Sequence, residues 1–252
     1  SPDRGLAPFF QELNRNKYGL TLDLRRAADR ERFCALVGRS DVVVENFSPR
    51  VMPNLGLDYA VLRAIKPDLV MLSMPAFGGT GPYRHGVAFG SGLEAMSGLS
   101  ALTGYPDGPP SLLGVAYGDP VAGLHGAVAI LAALEHRRRT GEGQHIDLAQ
   151  REALTQFIGE VLVGLDMGLP SPPRQGNRHA ALAPHGCYPC RGVDRWVAIA
   201  VADEEQWRRL CAVLGRPELA ADPRFADRRR RQEQRETLDK IIAAWTRCRG
   251  HY

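Results

Sequence analysis

Two short apolar runs constrain the fold of this chain more than any other feature. They lie at Asp41–Glu45 and Asp68–Met74 and consist largely of Val, Leu and Met. Runs of this length and composition are typical of parallel strands that are buried on both faces. Helical patterns precede the first run at Ala27–Val37 and separate the two at Val51–Leu55 and Tyr59–Ile65. The alternation predicts an α/β fold with a parallel sheet and helices on its faces.

The whole chain divides into two domains joined by a helix and a linker. We expect residues 1–150 to form a large domain, residues 151–176 a helix and linker, and residues 177–252 a smaller domain. The proline-rich segment Ser171–Asn177 marks the linker. The further predicted elements are strands at Gly19–Leu24, Gln144–Leu148 and Trp196–Val201, and helices at Ser91–Leu102, Arg151–Met167, Glu204–Leu214 and Leu238–Trp245.

Two loops follow the predicted parallel strands, at Asn46–Pro49 and at Pro75–Pro82. Ligands of open α/β sheets bind at the carboxyl ends of the strands, so we expect a site at these loops. The second loop is rich in glycine, which allows its backbone to approach a ligand closely. It contains neither the Gly-Lys-Ser/Thr of a phosphate-binding loop nor the GxGxxG of a dinucleotide site.

One carboxylate stands at the start of a long apolar helix predicted from Gly118 to Arg139. We expect Asp119 to cap this helix and Pro120 to take its first position, while Gly123 and Gly126 let neighbouring groups approach. Capping is one interpretation of Asp119. The other is a nucleophile that attacks a thioester carbonyl and becomes a mixed anhydride, kept ionised by the positive helix end. The spacing leaves both interpretations open.

Composition excludes several classes of protein. The 252 residues carry a net charge of +4 and 44% hydrophobic residues, which is ordinary for a soluble globular protein and suits an anionic small-molecule partner. The longest apolar run, at 121–134, is too short to span a bilayer, and no signal-peptide pattern opens the chain. Five cysteines suggest reduced thiols in the cytoplasm. We therefore expect neither a membrane nor a nucleic-acid partner.

Three other motifs invite functional interpretations that we consider weaker. Cys187 and Cys190 form a C-x-x-C near two histidines, but there is no second pair, so we expect no metal site. The basic run Arg228–Arg231 is more typical of a solvated helix face or a turn than of a nucleic-acid site. His125 lies within the apolar helix, where a satisfied core histidine is more usual than a base.

With these features in order, the sequence resembles the family III CoA-transferases, also called the CaiB/BaiF family. The resemblance covers nearly the whole chain and rests on several motifs rather than on one. These motifs are Asn14–Lys17 with Leu20–Asp23, Val43–Pro49, Phe77–Gly78 with Thr80–Pro82, Met96–Gly98, Thr103–Gly104 with Asp107–Pro110, Gly118–Asp119 and Thr140–Gln144.

The resemblance implies a role for each motif. Asp119 matches the catalytic aspartate of the family. The positions Leu22, Arg25, Asn46 and Phe47 match residues that line the CoA site. The loop with Gly78, Gly79 and Gly81 is expected near the acyl group, together with Phe89 and Gly90, which replace a Tyr-Asp/Glu pair found in many transferases.

The resemblance also implies an architecture and an activity. The family fold is an open Rossmann-like parallel sheet domain with a second, smaller α+β domain, and two chains interlock as a homodimer. The implied activity is that of an acyl-CoA:carboxylate CoA-transferase, with coenzyme A thioesters as substrates, a carboxylic acid as acceptor and no metal. The mechanism would pass through an aspartyl-acyl anhydride on Asp119.

Two alternatives remain open at the level of the sequence. An acyl-CoA racemase or epimerase of the same superfamily would need a histidine base where this chain has Phe89, and His85 or His125 is a poor substitute. A non-catalytic CoA-binding subunit or fragment is the other. The family's first strand and helix and its C-terminal return to the large domain are not found here, so we expect a piece of a longer or split protein.

Overall fold

The computed structural model describes residues 8–251, which form two compact units. The first unit holds the residues up to Leu93 together with Ala116–Gln156, and the second holds Glu94–Val115 and the residues from Phe157 onward. The helices are α1 Pro8–Leu13, α2 Ala27–Val37, α3 Val51–Asn54, α4 Tyr59–Ile65, α5 Gly90–Ser97, α6 Leu99–Leu102, α7 Gly118–Thr140, α8 Gln150–Thr155, α9 Gly159–Asp166, α10 Glu204–Val213, α11 Arg228–Glu233 and α12 Arg235–Thr246. The strands are β1 Val42–Glu45, β2 Val70–Ser73, β3 His145–Asp147, β4 His185–Pro189 and β5 Trp196–Ala200.

A parallel sheet of order β1-β2-β3 forms the centre of the first unit. Val43 of β1 pairs with Met71 of β2, and Leu72 of β2 pairs with Ile146 of β3. The mixed α/β class and the parallel sheet predicted from the sequence are confirmed. Only β2 is buried on both faces, because β1 is an edge strand among the described residues and Val44 is 53% exposed. The expectation that both strands are fully buried is therefore wrong for β1.

The helices α2, α3 and α4 cover this sheet through one apolar cluster. Val37, Met52, Leu62 and Met71 are among its buried members. The bounds of α2 and α4 agree with those predicted from the sequence, and α2 ends just before Gly38. Asp58 begins α4 by accepting a hydrogen bond from the Val61 N–H at 3.1 Å.

Helix α7 packs its glycine face on β2. A Cβ atom at Gly126 would lie 2.8 Å from Leu72 Cδ2 and 2.9 Å from Met74 Sδ, so a larger residue there would require these side chains to shift. Gly123, in contrast, faces open space, and no close approach requires it. The helix ends as predicted at Gly141, whose φ of 80° is the left-handed conformation that favours glycine.

The start of α7 differs from the expectation. Gly118 is already helical, Tyr117 is the capping position, and Asp119 and Pro120 lie within the first turn. Pro120 is tolerated there because the first four N–H groups of a helix have no partner within it. The capping role predicted for Asp119 is therefore wrong.

One face of α7 carries a row of exposed apolar side chains. Its members are Leu124, Val128 and Leu131, which are 66% to 70% exposed and do not face a core.

The second unit contains an antiparallel pair, β4 and β5, packed against α10 and α12. In its register Tyr188 pairs with Val197. The sequence predicts β5 but not β4, because prolines and glycines interrupt the β4 pattern. Cys187 lies within β4 and is exposed, whereas Cys190 follows the strand and is buried.

Arg231 lies in the core of the second unit and is only 1% exposed. Its guanidinium donates to Glu204 Oε1 at 2.7 Å and to the carbonyls of Ala183 and Phe225 at 3.0 Å. It also lies over the Trp207 ring, 5.2 Å from the ring centre. The expectation of a solvated face for the basic run holds for its neighbours and is wrong for Arg231, because the run forms α11 and one of its sides faces inward.

Three other predicted elements differ from the structure. The strand predicted at Gly19–Leu24 is wrong, since these residues form neither helix nor strand and no strand of the described chain pairs with them. The helix predicted at Ser91–Leu102 is interrupted at Gly98, whose φ is 90°. The helix predicted at Arg151–Met167 is divided by a tight 3-10 turn at Gln156–Ile158.

No helix in residues 8–251 is long and apolar enough to cross a membrane.

Candidate active site

A cleft of about 160 Å³ lies at the carboxyl ends of β1 and β2, within the first unit. The loop after β1, the segment before α5 and the first turn of α7 all contribute to it. Its lining residues are Asn46, Phe47, Ser48, Pro49, Pro75, Ala76, Gly86, Val87, Ala88, Phe89, Asp119 and Gln150. The structure therefore places Asn46, Phe47, Phe89 and Asp119, which are far apart in the sequence, around one space.

Asp119 reaches this cleft from the first turn of α7. The helix begins at Gly118, which packs closely on Leu93, since a Cβ atom there would lie 3.1 Å from Leu93 Cβ. The unpaired N–H groups of a helix start give it a positive partial charge, which favours a carboxylate in the first turn. Asp119 is exposed, so its carboxylate is accessible from the cleft. An accessible carboxylate can act as a nucleophile.

Gly90 packs directly against the Asp119 carboxylate. A Cβ atom at position 90 would overlap Asp119 Oδ2 and would lie 3.0 Å from the Ala116 Cα atom. Glycine is therefore the residue that fits this position without displacing the carboxylate. Its neighbour Phe89 projects a ring that is 81% exposed at the edge of the cleft.

Asn46 is held by a glutamine that the sequence patterns do not identify. Gln150, at the start of α8, is buried, and its Nε2 donates to Asn46 Oδ1 at 2.6 Å and to the Met74 carbonyl at 2.7 Å. Because Asn46 Oδ1 is an acceptor here, its Nδ2 group remains the donor of that side chain. No sequence pattern identifies this role, because the two amides are 104 residues apart and meet only through the fold.

The glycine-rich loop is fixed by Asp147, at the end of β3. The Gly79 N–H donates to both carboxylate oxygens of Asp147 at 2.9 Å. Gly78 and Gly81 have φ values of 82° and 81°, which a side chain would strain. Gly79 lies in a neighbouring cleft with Asp147 and His145, not in the Asp119 cleft.

The aromatic side chains of the same loop pack on an arginine. The Arg151 guanidinium lies 5.8 Å from the ring centres of both Phe77 and Tyr83. Gly86 is close to this cluster, since a Cβ atom there would lie 2.8 Å from the Phe77 ring. This packing determines the path of the chain from the loop to Phe89.

Leu22 and Arg25 are not among the residues that line the Asp119 cleft. The Arg25 guanidinium is exposed and pairs with Asp23 at 2.8 Å. This hydrogen bond lowers the pKa of the Asp23 carboxyl and raises the pKa of Arg25. Leu22 and Arg25 remain predicted CoA contacts. Phe47, which is 48% exposed, remains one as well.

The two histidines considered as bases have other partners. His125 is exposed, not in a core, and its Nδ1 lies 2.9 Å from the Val121 carbonyl of the preceding turn. The Arg84 Nε donates to His85 Nε2 at 3.0 Å. No group of three His, Cys, Asp or Glu side chains that could hold a metal occurs within residues 8–251.

The sequence matches the model of CoA-transferase family III over residues 1–250. The chain belongs to this family. The prediction from the ordered motifs is thus confirmed. A family III protein similar to the chain is the succinyl-CoA–D-citramalate CoA-transferase of Chloroflexus aurantiacus, 37% identical over 96% of this chain and 60% of the relative. Another is the succinyl-CoA:mesaconate CoA-transferase of Haloarcula hispanica, 40% identical over 94% of this chain and 60% of the relative.

A solved structure of this family agrees with the fold. A CaiB/BaiF family protein from Brucella suis superposes with a TM-score of 0.85 at 37% identity, over 93% of this chain and 62% of that one. The chain thus spans about 60% of the length of the curated family III relatives described above.

Proposed function

We propose that this chain carries the nucleophile of an acyl-CoA:carboxylate CoA-transferase, and that the nucleophile is Asp119. The observation that supports this most is the position of Asp119. It is an exposed carboxylate in the first turn of α7, facing a cleft at the carboxyl ends of parallel strands. Membership of CoA-transferase family III supplies the class of reaction.

The reaction proceeds through covalent catalysis. The Asp119 carboxylate attacks the thioester carbonyl of the donor, the carbon–sulfur bond breaks, and the products are an aspartyl-acyl anhydride and the CoA thiolate. The acceptor carboxylate then attacks the aspartyl carbonyl carbon of this anhydride and displaces the donor carboxylate, which leaves as the free acid and gives a second anhydride between Asp119 and the acceptor. The CoA thiolate attacks the acceptor's acyl carbon in this second anhydride, and the bond from that carbon to the Asp119 oxygen breaks. This step forms the new acyl-CoA and restores the Asp119 carboxylate. The net reaction consumes one thioester and one carboxylate and forms one of each.

The surrounding residues have separate tasks in this proposal. Asn46 and Phe47 contact the CoA moiety, and Gln150 keeps the Asn46 amide oriented. Leu22 and Arg25 contribute to the same CoA site. Gly90 leaves room for the Asp119 carboxylate, while Phe89 and the loop with Gly78, Gly79 and Gly81 contact the acyl group.

The substrates are an acyl-CoA and a carboxylic acid. The relatives named above carry succinyl-CoA in their names, together with citramalate or mesaconate. Succinyl-CoA is therefore the first donor to test.

We also propose that two chains associate as an interlocked homodimer. The exposed apolar row of Leu124, Val128 and Leu131 on α7 supports an assembly that covers it.

The test is chemical trapping of the anhydride. The natural protein that contains this chain is incubated with a panel of acyl-CoA thioesters, hydroxylamine is added, and the peptides are analysed by mass spectrometry. We expect a hydroxamate on the peptide with Asp119 only when a suitable acyl-CoA is present, and none in the Asp119→Asn variant. Measurable CoA binding without modification by any donor would contradict the nucleophile and favour a non-catalytic binding subunit.

A further inference from the structure

We propose that the second unit contains a binding site for a small oxyanion, lined by Arg174, Arg178 and Arg235. The site is an open cleft of about 380 Å³, within the size range of small-molecule pockets. Its lining residues are Pro106, Pro173, Arg174, Gln175, Arg178, His179, Ala180, Gln232 and Arg235. No Asp or Glu is among these lining residues.

These arginines form no ion pairs within the described chain. No carboxylate in residues 8–251 forms an ion pair with Arg174, Arg178 or Arg235. The neighbouring helix α11 is different, because Arg229 pairs with Glu233 at 2.7 Å and Arg231 pairs with Glu204 at 2.7 Å. The cleft therefore combines three arginines with no acid among its own lining residues.

Two of the arginines are held by backbone carbonyls. Arg174 donates from Nη2 to the Gly108 carbonyl at 2.7 Å and from Nη1 to the Ala101 carbonyl at 3.4 Å. Its Nε is buried and has no hydrogen-bond partner in the described structure. Arg235 donates from Nε to the Gln232 carbonyl at 3.2 Å, which leaves its terminal nitrogens for a ligand.

His179 adds a donor rather than an acceptor. The Ala181 N–H donates to His179 Nδ1 at 3.0 Å, so the proton of the neutral ring is on Nε2. On the opposite side of the loop, Gln232 Nε2 donates to the Ala180 carbonyl. These bonds fix the loop that follows Arg178.

The acid next to the site along α12 is engaged elsewhere. Asp239 Oδ1 accepts a hydrogen bond from the Tyr188 hydroxyl at 2.8 Å. Burial of the phenol, together with this bond, raises the pKa of Tyr188, which keeps the hydroxyl protonated as the donor. Asp239 lines an adjoining cavity with Arg178 and Arg235 but forms no ion pair with either, so the lining of the two cavities together holds three arginines and one acid.

The chemistry of the lining selects the ligand class. Guanidinium groups and an imidazole N–H are donors, and the planar guanidinium matches the geometry of carboxylate and phosphate oxygens. A small oxyanion meets these requirements, either a free carboxylate or a phosphate group such as those of coenzyme A. The inference does not depend on the role of Asp119, and an Asp119→Asn variant should bind the oxyanion as the unaltered protein does.

Calorimetric titration of the natural protein containing this chain tests the site, at constant ionic strength, with succinate, inorganic phosphate and coenzyme A as separate probes. We expect the Arg178→Gln and Arg235→Gln variants each to lose about tenfold in affinity for the probe that binds here, since each removes a charge-assisted hydrogen bond. The control Arg208→Gln removes an exposed arginine of α10 and should leave affinity unchanged. The thermal midpoint of each variant verifies that it is folded.

The probes separate the two sources of the oxyanion. A loss confined to succinate identifies a carboxylate site, and a loss shared by phosphate and coenzyme A identifies a phosphate site. Arg235→Lys keeps the charge but not the planar fork, so an intermediate affinity supports direct contact. The proposal is overturned if no probe binds, or if every affinity is the same in the folded arginine variants as in Arg208→Gln.

Discussion

The two clefts of this chain are built in different ways. The Asp119 cleft is formed by backbone: the ends of β1 and β2, the first turn of α7, and Gly90 in direct contact with the carboxylate. The arginine cleft is formed by long side chains from a loop and from α12, which extend into an open space. A site of the first kind depends on backbone packing within a fraction of an ångström. A site of the second kind depends on the total positive charge of its arginine side chains.

The difference indicates which changes each site tolerates. In the first cleft, one added carbon at the wrong position displaces the reacting group. In the second, the side chains adjust and the total charge matters more than any one position, because cations act over several ångströms.

The largest effect is expected for Asp119→Asn. The amide has nearly the same shape but is a much weaker nucleophile, so transfer should fall by at least about a thousandfold. CoA affinity should change little. The measurement is the initial rate of acyl transfer with succinyl-CoA. Asp166→Asn, which alters an exposed acid on α9, is the control, and near-normal turnover in Asp119→Asn would rule out the nucleophile.

A single methyl group should produce the next largest effect. In Gly90→Ala the new Cβ overlaps Asp119 Oδ2, and displacement of a reacting group by about 1 Å costs on the order of a hundredfold in rate. Gly92→Ala is the matched control on the same helix, since its Cβ would lie at an ordinary 3.6 Å from Ala88 Cβ. Equal activities of the two variants would show that the Asp119 carboxylate is not constrained by backbone packing.

Much of the first unit could be predicted because its signals are local. Helix α2 and the stop of α7 at Gly141 follow from periodicity and capping within a few residues. The motifs with Asn46 and Asp119 are also local, and the structure brings both to one cleft. The segment 19–24 alternates as a strand does. A strand also needs a neighbouring strand to pair with, and the alternation carries no information on that neighbour.

Other features depend on contacts between distant parts of the chain. Gln150 and Asn46 are 104 residues apart, and nothing in either segment indicates that their amides meet. Arg231 looks like its neighbours in a basic run, and only the position of α11 shows that it is the buried member. The three arginines of the second cleft have no motif, because positions 174, 178 and 235 are united by folding alone.

A smaller effect is expected at the contact between Gln150 and Asn46. Gln150→Leu keeps the volume but removes the donor to Asn46 Oδ1 and to the Met74 carbonyl, so the Asn46 amide is no longer fixed. We expect about a tenfold loss, seen mainly in the KM for acyl-CoA, consistent with the loss of one or two hydrogen bonds. Gln156→Leu, an amide of the following turn, is the control. A loss in kcat with an unchanged KM would show that Gln150 does not act through the CoA site.

The smallest effect concerns charge in the second unit, through the pair of Glu204 and Arg231. The hydrogen bond from Arg231 is the main cause that holds the pKa of Glu204 below its ordinary value of 4.5. A lowered pKa in the folded state means that the pair stabilises the fold fully above about pH 4.5 and loses this effect as pH falls through the folded pKa. Glu204→Gln should therefore reduce the free energy of unfolding by about 1 kcal/mol at pH 7, a modest value because the Glu204 side chain is half exposed.

Denaturant unfolding at several pH values measures this effect. The difference between the Glu204→Gln variant and the unaltered chain should shrink toward zero as the pH is lowered, because protonation of Glu204 has the same consequence as the substitution. Glu205→Gln is a closely matched control: Glu205 is the adjacent acid in the first turn of α10 and pairs with the exposed Arg209. Since both acids experience the same helix end, a larger pH-dependent effect at position 204 isolates the contribution of the buried guanidinium. Equal effects at both positions would mean that charge in this unit stabilises the fold only through the helix end, and that the burial of Arg231 adds nothing.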